Sequence, residues 1–60
     1  MGKPDWRDAP NWANYFAMDP DGRWYWFENE PTFEDQEWFA DGNYAEAKGV
    51  SGNGTLEKRP

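Results

Sequence analysis

The chain has no cysteine and no histidine. Disulfides and the familiar zinc sites are therefore excluded. So is catalysis built on a cysteine nucleophile or a histidine base. Leu, Ile and Val are missing from residues 4–47; Val50 and Leu56 are the chain's only examples and lie in a glycine-rich stretch. A core in 4–47 must then do without branched aliphatic side chains. Residues 24–47 contain no lysine or arginine, which disfavours DNA, RNA and anionic membranes as direct partners. No long apolar run exists and mean hydropathy is −1.26, so neither a transmembrane span nor a signal peptide is expected.

What is present is aromatic and acidic. All twelve aromatic residues, five of them Trp, fall within 4–47. That region also holds eleven carboxylates against Arg7 and Arg23, a net of −9. Residues 48–60 carry +2 and Lys3 adds +1, which gives −6 for the chain. Sixty residues make one domain at most, and a domain of that size is marginal without staples. Low aliphatic content with high net charge suggests disorder when taken alone. The aromatic payload argues for a folded core, because each such ring can bury about 150–250 Å².

Turn chemistry and alternation give the organisation. Residues 4–10 read as an extended arm fixed by Pro4 and Pro10, since the residue before a proline is pushed toward extended geometry. Tyr15–Met18 and residues 23–28 read as a β-hairpin joined by Asp19-Pro20-Asp21-Gly22. Pro20 suits the second position of a type I turn, and Gly22 the positive φ of a bulge residue. That loop pairs Met18 with Trp24, Phe16 with Trp26 and Tyr15 with Phe27. Alternation then puts Phe16, Met18, Trp24 and Trp26 on one face, and Tyr15, Ala17, Tyr25 and Phe27 on the other. Both faces are apolar, and the pattern does not say which is buried.

Pro31 ends the second strand, and residues 32–37 read as an acidic connection. Residues 38–40, a turn at Asp41-Gly42-Asn43 and Tyr44–Ala47 supply a third strand or a second small hairpin. Helical spacing of Trp12, Tyr15 and Phe16, with Asn11 as a cap, leaves a short helix over 12–17 as an alternative. The expected fold is a small all-β domain over 4–47: a three-stranded antiparallel sheet, a hairpin plus third strand, with an aromatic core. Residues 48–60 are expected to form a flexible C-terminal tail.

Chemistry has few candidates. Thr32, Ser51 and Thr55 are the only hydroxyls besides the tyrosines, and none has a recognisable base beside it. Asp19, Asp21, Gly22 and Glu28 fall on four positions of a calcium-binding EF-hand loop. Its first ligand position is Ala17 and its fourth is Pro20, so a hairpin turn is the better reading. No catalytic residue, metal or cofactor is expected. The acidic run of Glu28, Glu30, Glu34, Asp35, Glu37 and Asp41 is the main candidate site. Glu28 and Glu30 on one strand face would stand about 7 Å apart, and such a row could imitate a nucleic-acid backbone. The bland alternative is a solvated face that keeps an aromatic protein soluble. Tyr25 and Phe27, if exposed, would anchor a partner.

Two resemblances arise here. Asp19-Pro20-Asp21-Gly22-Arg23, with Tyr25 and Trp38, resembles part of a WW domain, a three-stranded binder of proline-rich peptides. Asp5-Trp6, Ala9-Pro10, Trp12-Ala13, Asp19, Asp21-Gly22, Trp24, Glu28 and Pro31 are similar to small Trp-rich proteins of tailed bacteriophages. The second likeness is to a group without an assigned function and implies only a phage setting, in which many small acidic proteins bind and block a host enzyme and the host-cell cytoplasm is the expected location. The leading expectation is a non-enzymatic inhibitor that presents carboxylates to the basic surface of a DNA- or RNA-binding host protein. The alternatives are a peptide-binding module with an aromatic groove and a small structural component of a virion.

Overall fold

A computed structural model describes residues 4–47 and 56–60. It contains a 3₁₀ turn at Trp6–Asp8 and six strands: β1 Tyr15–Met18, β2 Trp24–Phe27, β3 Thr32–Glu34, β4 Glu37–Phe39, β5 Tyr44–Ala47 and β6 Glu57–Lys58. The first sheet has the order β5-β2-β1-β6, and β3 pairs only with β4. Every pairing is antiparallel. The small all-β fold around buried aromatics is as the sequence predicts.

The first hairpin has the expected register, with Met18 opposite Trp24, Phe16 opposite Trp26 and Tyr15 opposite Phe27. Its loop closes through the Gly22 N–H to the Asp19 carbonyl at 2.9 Å and the Asp19 N–H to the Arg23 carbonyl at 2.8 Å. Gly22 has φ +91, the left-handed geometry that a non-glycine residue adopts only at a cost. The Asp21 carboxylate accepts the Arg23 N–H at 3.0 Å and stiffens the turn. Residues 15–18 are strand, so the helical alternative over 12–17 does not form. Pairing with an adjacent strand satisfies this backbone without a helix.

One sheet face is the core. Phe16 and Trp24 are fully buried, and Trp26, Ala13 and Ala47 join them. Phe16 meets Trp24 edge-on at 5.2 Å and Trp26 edge-on at 5.7 Å. Trp6 closes the face, 4.9 Å from Phe16 and 5.4 Å from Trp26. Tilted and edge-to-face pairs at these separations are worth about 0.5–1.5 kcal/mol each beyond area burial. The indole N–H groups of Trp6 and Trp24 have no acceptor among the described residues, so both rings act as apolar bodies. β5 sets Ala45 opposite Trp26 and Ala47 opposite Trp24, small side chains beside the two indoles.

Three local expectations need correction. The arm over 4–10 is not extended throughout. The Asp5 carboxylate accepts the Arg7 N–H at 2.9 Å, and the Asp8 N–H bonds the Asp5 carbonyl at 2.9 Å. An Asx cap between two prolines thus folds the arm into a 3₁₀ turn that lays Trp6 on the core. The connection over 32–37 is not a plain loop: Thr32–Glu34 pairs with Glu37–Phe39, Phe33 opposite Trp38. Asp35 and Gln36 turn this second hairpin with φ 50 and 62, both in the left-handed region that two-residue hairpins require. Tyr44–Ala47 is the third strand of the sheet.

The third correction is at the C-terminus. Residues 48–55 of the expected tail lie outside the described residues. Glu57–Lys58 adds a fourth strand to the sheet on the outer edge of β1. The Arg59 N–H bonds the Asn14 carbonyl at 2.7 Å. The Arg59 guanidinium lies 5.4 Å above the Trp6 ring and bonds the Ala13 and Pro10 carbonyls. An uncovered β1 edge would leave strand backbone groups unpaired, and a cation over an indole face adds its own attraction.

Two stability outcomes follow. Trp24→Ala should lower the unfolding free energy by about 3–5 kcal/mol, enough to unfold a domain of this size. Arg59→Ala should cost about 1–2 kcal/mol and raise hydrogen exchange at the β1 outer edge. Denaturant melts and exchange rates check both. An Arg59→Ala protein as stable as the parent would show that the guanidinium contacts add nothing.

Candidate binding groove

The second sheet face carries Tyr15, Ala17, Tyr25 and Phe27, with Tyr44 from β5. Phe27 stacks on Tyr44 at 6.5 Å with the rings 22° apart, and Tyr25 lies 6.4 Å from Phe27. The β3–β4 hairpin lies against this face and is anchored by Trp38. Its indole N–H donates to the Met18 carbonyl at 2.9 Å, and its backbone N–H is directed at the Asp19 carboxylate. The outward direction of that backbone N–H follows from the turn. In a two-residue hairpin Glu34 and Glu37 form the hydrogen-bonded pair next to the turn, so Phe33 and Trp38 form a non-bonded pair. The Trp38 N–H is then free to point away from β3.

Between hairpin and sheet runs a groove of about 350 Å³. Tyr25 and Phe27 line it with Trp38, Phe39 and Tyr44, and Asp19 and Glu37 contribute carboxylates. Tyr44 is 62% exposed and Phe39 is 47% exposed. Two large aromatics in contact with water beside a groove are the usual mark of an interaction site.

The predicted acidic row is not a row. β2 ends at Phe27, so Glu28 and Glu30 do not stand on a strand. The Glu28 carboxylate accepts the Asn43 N–H at 3.1 Å and is committed to the turn over 41–43. Asn29 donates to the Asp41 carbonyl at 2.8 Å in the same turn. Gly42, at φ +99, is required there: a Cβ would lie 2.8 Å from the Asn29 Nδ2 and 2.9 Å from the Glu28 Oε1. Glu28 and Asp41 therefore sit at one end of the sheet and Glu30 is exposed nearby in the chain. Glu34, Asp35 and Glu37 lie around the tip of the second hairpin. There Asp35 and Glu37 share a shallow depression with Asp19 and Asp21. Asp19 and Asp21 flank one end of β2 and Glu28 the other, about four strand residues apart, so they cannot close a calcium loop. Among the described residues, no group of three acidic side chains is placed to hold a metal ion.

Both predicted aromatic anchors need adjustment as well. Phe27 is buried at 3% exposure and forms the floor of the groove, because the stacked Tyr44 covers it. Tyr25 is half-buried. The exposed anchors are Phe39 and Tyr44, which the sequence reading did not single out. Nothing local marks them: their role comes from pairing Tyr44 with Phe27 across β5 and β2.

Asp19 is the group with the most distinctive electrostatics in the groove. Burial raises its pKa above the usual 3.8, and the Asp21 charge raises it further; the Trp38 backbone bond works the other way, and Glu37 adds to the rise. Arg7 and Arg23 each pair with a neighbouring aspartate, Asp5 at 2.9 Å and Asp21 at 3.8 Å. These exposed pairs contribute little to stability.

No protein-family model matches the chain, and neither a curated protein nor a solved structure does. Among the described residues, no helix is long and apolar enough to cross a membrane.

The raised pKa of Asp19 has a signed consequence. The folded state holds the Asp19 proton more tightly than the unfolded state. Its ionised carboxylate therefore destabilises the fold above the folded pKa, and the penalty vanishes below the unfolded value near 3.8. Asp19→Asn keeps a turn former and an acceptor for Trp38. It should melt higher than the parent at pH 7, and the difference should shrink as pH falls toward 3.8. Thermal melts of both proteins across that range check this. A difference that grows on acidification would contradict it.

Proposed function

We propose that this chain is a non-catalytic protein-binding domain that holds a basic segment of a partner in the groove between its second hairpin and its sheet. The observation that carries the reading is the pairing of exposed Phe39 and Tyr44 with the Asp19 and Glu37 carboxylates in one groove. An arginine or lysine side chain gains about 0.5–2 kcal/mol over an aromatic face, and a carboxylate beside it adds a charge-assisted hydrogen bond. The net of −9 over 4–47 attracts basic partners at long range and repels nucleic acid and anionic lipid. The fold already uses this chemistry internally, with Arg59 over Trp6.

In the phage-type setting that the sequence pattern resembles, the partner is a host nucleic-acid-binding enzyme in the host cytoplasm, whose basic surface offers such a segment. A second reading has the acidic surface itself as the mimic of a nucleic-acid backbone. The convergence of Asp19, Asp21, Asp35 and Glu37 at the two hairpin tips favours it.

Titration with short arginine-rich peptides separates the two readings. Phe39→Ala should leave the melting temperature nearly unchanged and Tyr44→Ala should lower it by a few degrees through loss of the Phe27 stack, and each should weaken binding about tenfold, or about 1.4 kcal/mol. The double substitution Glu34→Lys, Asp35→Lys, which leaves the groove carboxylates Asp19 and Glu37 in place, should mainly reduce the salt dependence. Binding indifferent to Phe39 and Tyr44 but abolished by the charge reversal would sink the groove and leave the acidic surface.

A further inference from the structure

The two strands that border β2 differ at their outer sides. β1 carries β6 there, whereas β5 is the last strand of the sheet among the described residues. Hydrogen-bond alternation identifies which of its backbone groups are open. The Asp19 N–H bonds the Arg23 carbonyl, so pairing alternates along the first hairpin and leaves Trp24 and Trp26 to bond toward β5. Their partners are Ala47 and Ala45. At the other end the Glu28 N–H bonds the Asn43 carbonyl at 2.9 Å, which gives the same phase. Tyr44 and Glu46 therefore direct their N–H and carbonyl groups away from β2.

A groove lies on each side of this edge. On the outer face is the aromatic groove that Tyr44 lines. On the core face is a second groove of about 380 Å³ between β5 and the arm, lined by Ala45 and Ala47 with Pro4, Pro10 and Trp26. Asp5, Asp8 and Glu46 lie along it. Arg7 neutralises Asp5, so Asp8 supplies its charge, while the Glu46 side chain stands with Tyr44 on the outer face. A short acidic strand edge can simply be a guard against sheet growth, but such a guard does not call for a groove on either side.

We propose that the β5 edge is a strand-addition site for an extended basic segment of a protein partner. The segment adds antiparallel to β5 through the backbones of Tyr44 and Glu46. This rests on the reading of the aromatic groove given above and specifies how its occupant is held. Residues of the added strand that bond Tyr44 and Glu46 share their face, so their side chains enter the aromatic groove. These are the arginines or lysines. The intervening residues face Ala45, Ala47 and the prolines, and are apolar. Charge selects the occupant: two copies of the chain bring −6 each, whereas a basic strand is complementary. Main-chain bonds give such a complex its affinity and the alternating pockets give it selectivity.

The test uses an eight-residue peptide, capped at both ends, in which arginine alternates with valine. Two variants carry backbone N-methyl groups, one on the arginines and one on the valines. The full chain should bind the parent peptide and protect the Tyr44 and Glu46 amides from hydrogen exchange. N-methylation of the arginines should weaken binding at least tenfold, and N-methylation of the valines less than twofold. If both methylated peptides bind like the parent while Phe39→Ala still weakens binding, strand addition is overturned and the groove reading stands. If no peptide binds, both fall.

Discussion

The ring cluster of Phe16, Trp24, Trp26 and Trp6 is the contact on which everything else depends. Three of these rings come from one hairpin and the fourth from an arm nine residues upstream of it. Without branched aliphatic residues in 4–47, no other set of side chains can enclose a comparable volume. The cluster fixes which hairpin face is inward, and so which is left for Trp38, Phe39 and Tyr44. It also places Trp6 under Arg59, which ties the C-terminal strand to the N-terminal arm. A small domain gains from such closure, since it has little area to bury.

The second hairpin is held differently. β3 and β4 contain no fully buried residue, and Trp38 is their only half-buried one. Two non-glycine residues sit at positive φ in its turn. Left-handed geometry costs an ordinary residue about 1–2 kcal/mol, so the docking of Trp38, with its indole bond to Met18, must offset that strain. A weakly buried hairpin over an aromatic face can shift to admit a ligand without disturbing the core, because low local stability is where binding elements are found.

Charge and fold interact through placement. The eleven carboxylates of 4–47 do not form one surface. Glu28 is spent on a turn amide, Asp5 on a cap and an arginine, and Asp19 on the hairpin anchor. Apart from Asp8 in the arm and Glu46 on β5, the remaining acids gather toward the hairpin tips and the 41–43 turn. Carboxylates near both ends of an aromatic groove suit a segment with separated cations better than a continuous polyanion mimic would.

The local features of this protein were legible in its sequence. Asp19-Pro20-Asp21-Gly22 dictated its own turn, the turn dictated the register, and alternation dictated which side chains share a face. The absence of branched aliphatic residues determined an aromatic core. Features that depend on residues far apart in the chain were not legible. Both hairpin faces read as apolar, and only the docking of Trp6 and Ala13 decided that Phe16, Trp24 and Trp26 turn inward. The second hairpin lacked a glycine turn signal. β6 joins β1 across more than forty residues of chain, and no local pattern encodes that pairing. Tyr44 became part of the groove because β5 set it opposite Phe27. Backbone sterics and short-range hydrogen bonds act within a few residues and can be read directly. Burial and pairing between distant segments depend on which surfaces meet, and the tertiary structure alone decided that.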